Sequence, residues 1–529
     1  MHIFLVGPPG IGKSTVAPLL QRALGAAATL DLDDAIEKRA GLSPKTLIER
    51  HGWERFRDVE SECLHALAST PAWVVVATGG GVVERAANRA RMRELGPLIG
   101  LKGSLATVVR GITETMGKRP FADITPRRRA ADTLRRRAAA YRDVDASFAV
   151  DRRTPQHIAA EIAAWLISAH GVRIDVGGTH PYPVLIRAGL LDHVGPHLSD
   201  LGWSGKVAVV CDATIARRAA PAVTRSLERS GLDVTIVRVP TGERAKTANA
   251  LRRLWSELAA AKLGRDSAIV ALGGGAVGDL AGFAAATYLR GIRVAQVPTT
   301  LLAMVDSSIG GKTGIDLPEG KNLAGAFHPP DAVLADPSVL ATLPARQVSS
   351  GLAEVVKSAF LADRASVSQL RSSLPRVRAG DLGPTVASIA LAAQVKADVV
   401  SSDEREKGLR EVLNYGHTMG HAYESASGYR VTHGEAVSIG LVFATALAEA
   451  LRLCPRTLRA DLEELLVAAG LPIRARLPAK AWSLLAVDKK VRAGTVRWIL
   501  PRRVGRLSEV RDVPAGALRA AARVVEGPK

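Results

Sequence analysis

Short apolar runs alternating with amphipathic stretches set the pattern of the first 345 residues. Ile3–Val6 is an apolar run, followed by a glycine-rich turn and a helical pattern from Lys13 to Leu24. Trp73–Thr78, Leu98–Leu101 and Phe148–Val150 read as further buried strands, with a closing helix over Pro155–His170. Strands separated by helices predict a parallel sheet covered on both faces. Gly171 and the run Gly177-Gly178-Thr179, with Pro181 and Pro183, predict a join. Strand-like runs resume at Val184–Ile186, Val207–Val210, Val234–Val239, Ala268–Leu272 and Val294–Val297. After about Ala345 helical periodicity dominates, from Gly351 to Ala469. The pattern predicts α/β architecture in three domains, over 1–170, 171–345 and 346–529, the last mainly helical.

With 47% hydrophobic and 23% charged residues, the 529-residue chain is not a disordered, collagenous or coiled-coil protein. Cys63, Cys211 and Cys454 form no CxxC pair, which argues against a cysteine zinc site and for a reducing cytoplasm. No apolar run is long enough to span a membrane, and the N-terminus reads as a buried strand rather than a signal peptide. The formal charge of +20 is spread along the chain, with clusters at Arg127–Arg129 and Arg135–Arg137. Nucleic-acid binding through these arginines is one reading. With only 4% aromatic residues there is little material for base stacking, so anionic small molecules are the expected partners.

Gly7-Pro8-Pro9-Gly10-Ile11-Gly12-Lys13-Ser14 matches G-x-x-x-x-G-K-[ST] between a strand and a helix. Glycines let backbone N–H groups converge on phosphate oxygens. Lys13 reaches the outer phosphates of ATP, and the Ser14 hydroxyl can meet Mg²⁺. Asp31 and Asp33 follow at a predicted strand end; one can hold Mg²⁺ through water and the other accept a substrate hydroxyl. Arg57, Gly79-Gly80-Gly81, Arg119-Pro120 and Arg137 with Tyr141 come next in order. With these motifs, residues 1–170 resemble shikimate kinase over their whole length. The resemblance implies a P-loop kinase domain in which Gly10, Gly12, Lys13, Ser14, Thr15 and Asp31 bind ATP and Mg²⁺. It implies that Asp33, Arg57, Gly80, Gly81 and Arg137 hold shikimate, with Asp33 on the ring hydroxyls. Arg119 would lie on a lid over the γ-phosphate. The segment Lys118–Arg129 departs in detail from the family's lid, and its arginine cluster is expected to be solvated.

Gly273-Gly274-Gly275-Ala276-Val277-Gly278-Asp279 follows a buried strand and opens a helical pattern, satisfying G-x-G-x-x-G. No acidic residue stands about 20 positions on, so by itself this is a phosphate-binding turn. Further along, Asn414-Tyr415-Gly416-His417-Thr418-Met419-Gly420-His421 places two histidines at i and i+4, and His433 follows. Spacing alone makes His417 and His421 metal ligands on one helix face. Lys312, Lys321, Lys357, Lys396, Arg410 and Lys489 all lie in short polar motifs; converging, they would suit a substrate bearing phosphate and carboxylate. Lys490, beside Lys489, offers the same charge.

Together with Gly242-Glu243, Lys246, Val297-Pro298-Thr299-Thr300, Val305-Asp306-Ser307-Ser308 and Gly320-Lys321-Asn322, these runs resemble 3-dehydroquinate synthase over about residues 175–515. The resemblance implies a Rossmann-like NAD-binding domain and a helical metal- and substrate-binding domain. It implies NAD contacts from Asp212, Glu243, Lys246, Gly274, Gly275, Asp279, Thr299, Thr300, Lys312 and Lys321. The metal, Zn²⁺ or Co²⁺, would be held by Glu354, His417 and His433, leaving His421 to the substrate phosphate. Asp306, Lys312, Lys357, Arg410, Asn414 and His421 would be catalytic. Arg290, Asn322, Lys396 and Lys489 would bind the substrate, 3-deoxy-arabino-heptulosonate 7-phosphate. The resemblance implies that NAD⁺ would oxidise a ring hydroxyl, phosphate would leave, the hydride would return, and an aldol closure would give 3-dehydroquinate without net redox change. A homodimer through this part is implied, with Arg290 serving the second subunit. The expected protein is a fusion of two shikimate-pathway enzymes. A kinase-like regulatory module that only binds nucleotide is the competing reading for the first part.

Overall fold

The computed structural model describes residues 2–24, 28–67, 74–114, 125–406, 408–428, 430–491 and 496–527, with side chains for all of these except 164, 167, 168, 170 and 486–491. Contacts divide the chain into two units, Met1–Leu166 and Ile167–Lys529.

The first unit is built on β1 (Ile3–Val6), β2 (Ala28–Asp31), β3 (Val74–Ala77), β4 (Leu98–Lys102) and β5 (Ala146–Ala149), in the order β2-β3-β1-β4-β5 with every pairing parallel. Alternation along β1 explains its unbroken apolar run. Ile3 and Leu5 join one core with Val16, Leu20 and Ile99, while Phe4 and Val6 join another with Leu32, Ile36 and Met92. The turn after β1 leads directly into the helix Lys13–Leu24. Gly10 has φ +74, and a Cβ there would lie 2.4 Å from the Gly111 carbonyl carbon, so only glycine fits. The strand expected at Phe148–Val150 starts two residues earlier, because Leu98 N is tied to the Asp145 carboxylate (2.7 Å) and pairing runs on from there.

The second unit contains β6 (Val172–Val176), β7 (Tyr182–Ile186), β8 (Lys206–Asp212), β9 (Asp233–Val239), β10 (Ala268–Gly273), β11 (Arg293–Pro298), a hairpin of β12 (Lys312–Leu317) and β13 (Gly320–Phe327), β14 (Ala332–Ala335), and a hairpin of β15 (Trp498–Arg503) and β16 (Arg506–Val510). Seven of these form one sheet, β6-β7-β14-β11-β10-β8-β9, parallel except for the antiparallel edge β6–β7. Part of the expected join, Val172–Val176, is thus a strand. It was hidden because an edge strand exposes alternate residues: Arg173 and Asp175 face solvent and pair with each other, while Ile174 and Val176 are buried. Strand order reverses between β8 and β10, so Asp212 and Gly273 end adjacent strands at a crevice of the kind that takes ligands in open α/β sheets.

Helices dominate from Ala345 onward, as the periodicity predicts. His433–Ala450 packs on His417–Ala426 with backbones in contact: a Cβ on Gly440 would meet the Gly416 carbonyl oxygen at 1.9 Å. That approach brings the two helix starts, and their histidines, together. Gly440→Ala is therefore expected to destabilise this unit by about 1–3 kcal/mol, read as a lower urea midpoint in denaturation.

Candidate active sites

In the first unit, the Lys13 Nζ donates to the carbonyls of Gly7 (2.8 Å) and Pro8 (2.9 Å), folding the glycine turn around its own ammonium. Ser14 Oγ donates to Asp31 Oδ2 (2.5 Å), and Asp31 Oδ1 accepts from Asp33 N (3.0 Å), capping the helix Leu32–Ala40. A hydroxyl and a carboxylate thus share one small volume at the end of β2, as a hydrated cation needs. A cavity of about 590 Å³ opens beside them, lined by Asp33, Arg57, Gly79, Gly80, Gly81 and Arg137 among others. Arg57 donates to Glu60 (2.7 Å) and Glu84 (3.0 Å); Arg137 donates to Glu84 (2.6 Å) and the Gly80 carbonyl (2.9 Å). Tyr141 OH donates to the same carbonyl (2.5 Å). A Cβ at Gly81 would lie 1.9 Å from Arg57 Nη2, so any side chain there would push the guanidinium out of this position. Glu60 is fully buried, and burial outweighs Arg57 in pushing its carboxyl up.

The second unit gathers a denser set of charges. Glu354 lies on the helix Ala345–Ala362, while His417 and His433 each open a helix. Gly416, at φ +80, turns the chain into the first; a Thr432–Glu435 capping box starts the second. Glu354 Oε1 stands 3.5 Å from Nε2 of both His417 and His433 and has no hydrogen-bond partner among the described residues, while Lys357 pairs with its other oxygen. The Nδ1 of His417 faces the Tyr415 carbonyl (3.1 Å) and that of His433 faces Glu424 Oε2 (3.4 Å). Nδ1–H donation to these acceptors leaves the Nε2 lone pairs aimed at an anionic oxygen, an arrangement that calls for a cation between them. Two ligand atoms at about 2.0–2.1 Å from a tetrahedral metal are about 3.4 Å apart, which both Glu354–imidazole spacings match. His421, Glu424 and His433 form a second donor set that shares His433. Burial opposes charge on His433, but Glu354 and Glu424 pull it up to about 9; burial and then His433 push His421 down to about 4. His433 and Lys321 hold Glu424 down at about 2 against burial.

Around this centre the lysines are paired. Lys396 Nζ donates to the Asp306 carboxylate (2.5 Å) and carbonyl (2.7 Å); Lys312 pairs with Glu406; Lys321 bridges Glu424 (3.1 Å) and Glu243 (2.9 Å). Asp306 sits in a π-turn, Ala303–Ser307, whose Ser308 N reaches back to the Ala303 carbonyl (3.2 Å). Such turns recur at functional sites because they widen a helix and re-aim one side chain. Arg410, almost fully buried, donates to the carbonyls of Glu404 (2.6 Å) and Gly310 (3.1 Å). Toward the crevice, Lys246 pairs with Asp279 (2.7 Å) and donates to the side-chain amide oxygen of Asn322, Oδ1. Burial outweighs Lys246 in raising the Asp279 carboxyl.

Residues 236–350 match the family model for the N-terminal part of 3-dehydroquinate synthase, 351–491 that for its C-terminal part, and 9–167 that for shikimate kinase. The 3-dehydroquinate synthase of Gloeobacter violaceus is 46% identical over 343 residues, 64% of this chain and 94% of that protein. The chain belongs to the 3-dehydroquinate synthase family, and its first unit is a shikimate kinase domain. A second synthase, from Symbiobacterium thermophilum, is 44% identical over 65% of this chain and 97% of its own length. Among solved structures, 2-epi-5-epi-valiolone synthase from Streptomyces hygroscopicus with NAD⁺ and Zn²⁺ bound is similar at 28% identity. It has a TM-score of 0.61 and covers 66% of this chain and 98% of that one.

For a 3-dehydroquinate synthase with a kinase domain, most residues singled out in the sequence fall into these clusters. Glu354, His417, His421, His433 and Lys357 share one, joined through Asp306 to Lys396; Asn414 approaches Glu406 (3.4 Å) beside Lys312. Thr299 bonds back to Gly273 (2.9 Å), and Thr300 lies against Gly274. Asp212 caps the helix Ala213–Arg218, accepting from Thr214 N (2.7 Å), and Gly275 faces Ser307. Gly12 accepts from Thr15 N (3.1 Å). Arg290 stands exposed on the turn Tyr288–Arg290 and makes no ion pair among the described residues. Arg119 and the side chain of Lys489 lie outside the described residues. The arginine cluster expected in solvent is split: Arg127 and Arg128 are exposed, but Arg129 lines the kinase cavity, because the helix Pro126–Arg136 turns that one residue inward. Missed altogether were the partner carboxylates Glu84, Glu406 and Glu424. Of these only Glu424 carried a signal, standing at i+7 from His417 and i+3 from His421 on one helix.

Proposed function

We propose that the chain works as two independent catalysts of the shikimate pathway, with domains at 1–170, 171–345 and 346–529. The first transfers the γ-phosphoryl group of ATP to shikimate. Lys13 meets the outer phosphates, Ser14 and Asp31 hold Mg²⁺, and Arg119 closes over the transferring group. Arg57 and Arg137 bind the shikimate carboxylate between Gly80 and Gly81, and Asp33 accepts the proton of the attacking hydroxyl.

The second converts 3-deoxy-arabino-heptulosonate 7-phosphate to 3-dehydroquinate and phosphate. Bound NAD⁺ supplies a reversible hydride acceptor, and a Zn²⁺ or Co²⁺ ion held by Glu354, His417 and His433 supplies a Lewis acid. Asp212, Glu243, Lys246, Gly274, Gly275, Asp279, Thr299 and Thr300 bind the dinucleotide. Asp306 and Lys357 orient the hydroxyl that is oxidised. Lys312, Asn322 and His421 bind the departing phosphate, and Lys396, Arg410, Asn414 and Lys489 complete the anion-binding wall. The observation that carries this reading is Glu354 Oε1, buried between two imidazole nitrogens and without a hydrogen-bond partner among the described residues. The synthase part forms a homodimer, supported by the exposed turn carrying Leu289 and Arg290. Three unpaired cysteines support a cytoplasmic setting, and no helix among the described residues is long and apolar enough to cross a membrane.

Assaying both reactions on the purified chain, before and after dialysis against a chelator, tests the reading. Chelation is expected to stop dehydroquinate formation, and Zn²⁺ or Co²⁺ to restore it. His421→Ala separates the two donor sets. It is expected to keep its metal while kcat/KM for the synthase falls on the order of 10²-fold. A metal-depleted His421→Ala protein would instead assign His421, Glu424 and His433 as the ligands.

A further inference from the structure

We infer that Glu84 is an internal carboxylate that occupies the substrate-carboxylate position of the kinase unit and has to be displaced when shikimate binds. The inference rests on the reading of Arg57 and Arg137 as the carboxylate-binding pair.

Glu84 ends the short turn Val82–Glu84 that follows the triple glycine, and the buried Val82 and Val83 anchor that turn in the core. Its two oxygens are divided between the two guanidiniums: Oε2 accepts from Arg57 Nη2 (3.0 Å) and Oε1 from Arg137 Nε (2.6 Å). Both arginines line the cavity beside Asp33 and Gly80. A carboxylate spanning two guanidiniums is the geometry that a carboxylate ligand would itself adopt. Arg57 carries a second acidic partner, Glu60, at 2.7 Å. The two carboxylates differ in what they can do. The Glu60 side chain has no exposure and no other place to put its charge, so it is a permanent counterion of Arg57. The Glu84 side chain is 32% exposed, so water can take it when it is released.

Charge accounting gives the consequence. Two arginines facing Glu60 and Glu84 are neutral as a group before any ligand arrives. A substrate carboxylate adds a third negative charge unless Glu84 swings away. Shikimate and its phosphorylated product carry the same carboxylate, so the exchange weakens both, and the transition state, alike. Glu84 therefore sets affinity rather than the rate of the chemical step, and it refills the arginine pair as product leaves. This is opposite in sign to a residue that merely orients the arginines, whose loss would weaken binding.

Isothermal titration of shikimate into the full chain tests this, with initial rates giving KM and kcat separately. Glu84→Gln keeps the size and removes the charge; it is expected to bind shikimate about three- to tenfold more tightly, with a matching fall in KM and no rise in kcat. Glu84→Ala is expected to move the same way, which guards against an effect peculiar to the amide. Unchanged or weaker binding in both variants overturns the inference. Arg137→Ala separates the two levels of the argument. Its binding is expected to weaken at least about tenfold. If it does while the Glu84 variants fail to tighten, only the role of Glu84 falls; if Arg137→Ala binds normally, the carboxylate site itself is misassigned and the inference falls with it.

Discussion

Glu354→Gln is expected to yield a protein that purifies without stoichiometric metal, forms no measurable dehydroquinate and still phosphorylates shikimate. The side chain is 2% exposed, with one oxygen against Lys357 and the other facing two imidazole nitrogens at 3.5 Å. Glutamine preserves the volume but removes the only anionic donor of the set. Lys357 is then a buried ammonium beside a neutral amide, and the cation loses both a ligand and the charge that offsets that lysine. Loss of one of three protein ligands should lower metal affinity on the order of 10³-fold or more, beyond the 10–100-fold typical of outer-sphere changes. Metal content by mass spectrometry after dialysis gives the answer independently of turnover. A Glu354→Gln protein with one equivalent of zinc and ordinary synthase rates would remove Glu354 from the centre. Kinase activity in the same sample reports only on the first unit, so a thermal melt reports whether the unit carrying Glu354 is folded.

What the sequence revealed and what it withheld follow from how each feature is built. A phosphate cradle is contiguous, because neighbouring backbone N–H groups and one lysine do the binding, so Gly7–Ser14 could be read directly. The same holds for Gly273–Asp279 after its buried strand. The two histidines at i and i+4 do lie side by side, with ring centroids 5.1 Å apart. Yet helical spacing says nothing about which carboxylate arrives from elsewhere. Glu354, more than 60 positions upstream, approaches His417 and His433 only because Gly434 sits against Ser350 and Gly440 against Gly416. Lone acidic residues were the least legible. Glu406 and Glu84 belong to no periodic pattern and acquire their partners, Lys312 and the two kinase arginines, through tertiary approach alone. Of the cations expected to converge, Lys312, Lys321, Lys357 and Lys396 are each held in an ion pair, which offsets the cost of burying their charge.

Lys13→Ala is expected to remove shikimate phosphorylation by at least about 10³-fold while dehydroquinate formation stays near its original rate. Lys13 is buried with its ammonium held by the Gly7 and Pro8 carbonyls, so it is already placed inside the turn that phosphates would enter. Alanine removes the one side-chain cation of the cradle motif. Backbone N–H groups and the helix dipole remain, so nucleotide affinity should fall less than turnover. The first unit should stay folded, because its two cores pack through Ile3, Leu5, Phe4 and Val6 rather than through this lysine. The second unit has a sheet and cores of its own, and the product of neither reaction is the substrate of the other, so no chemistry links the two rates. Coupled assays of each reaction on the same preparation, with a thermal melt alongside, make the comparison. Loss of both activities in a chain that melts normally would mean that the two units do not act independently and that the fusion itself carries catalytic information.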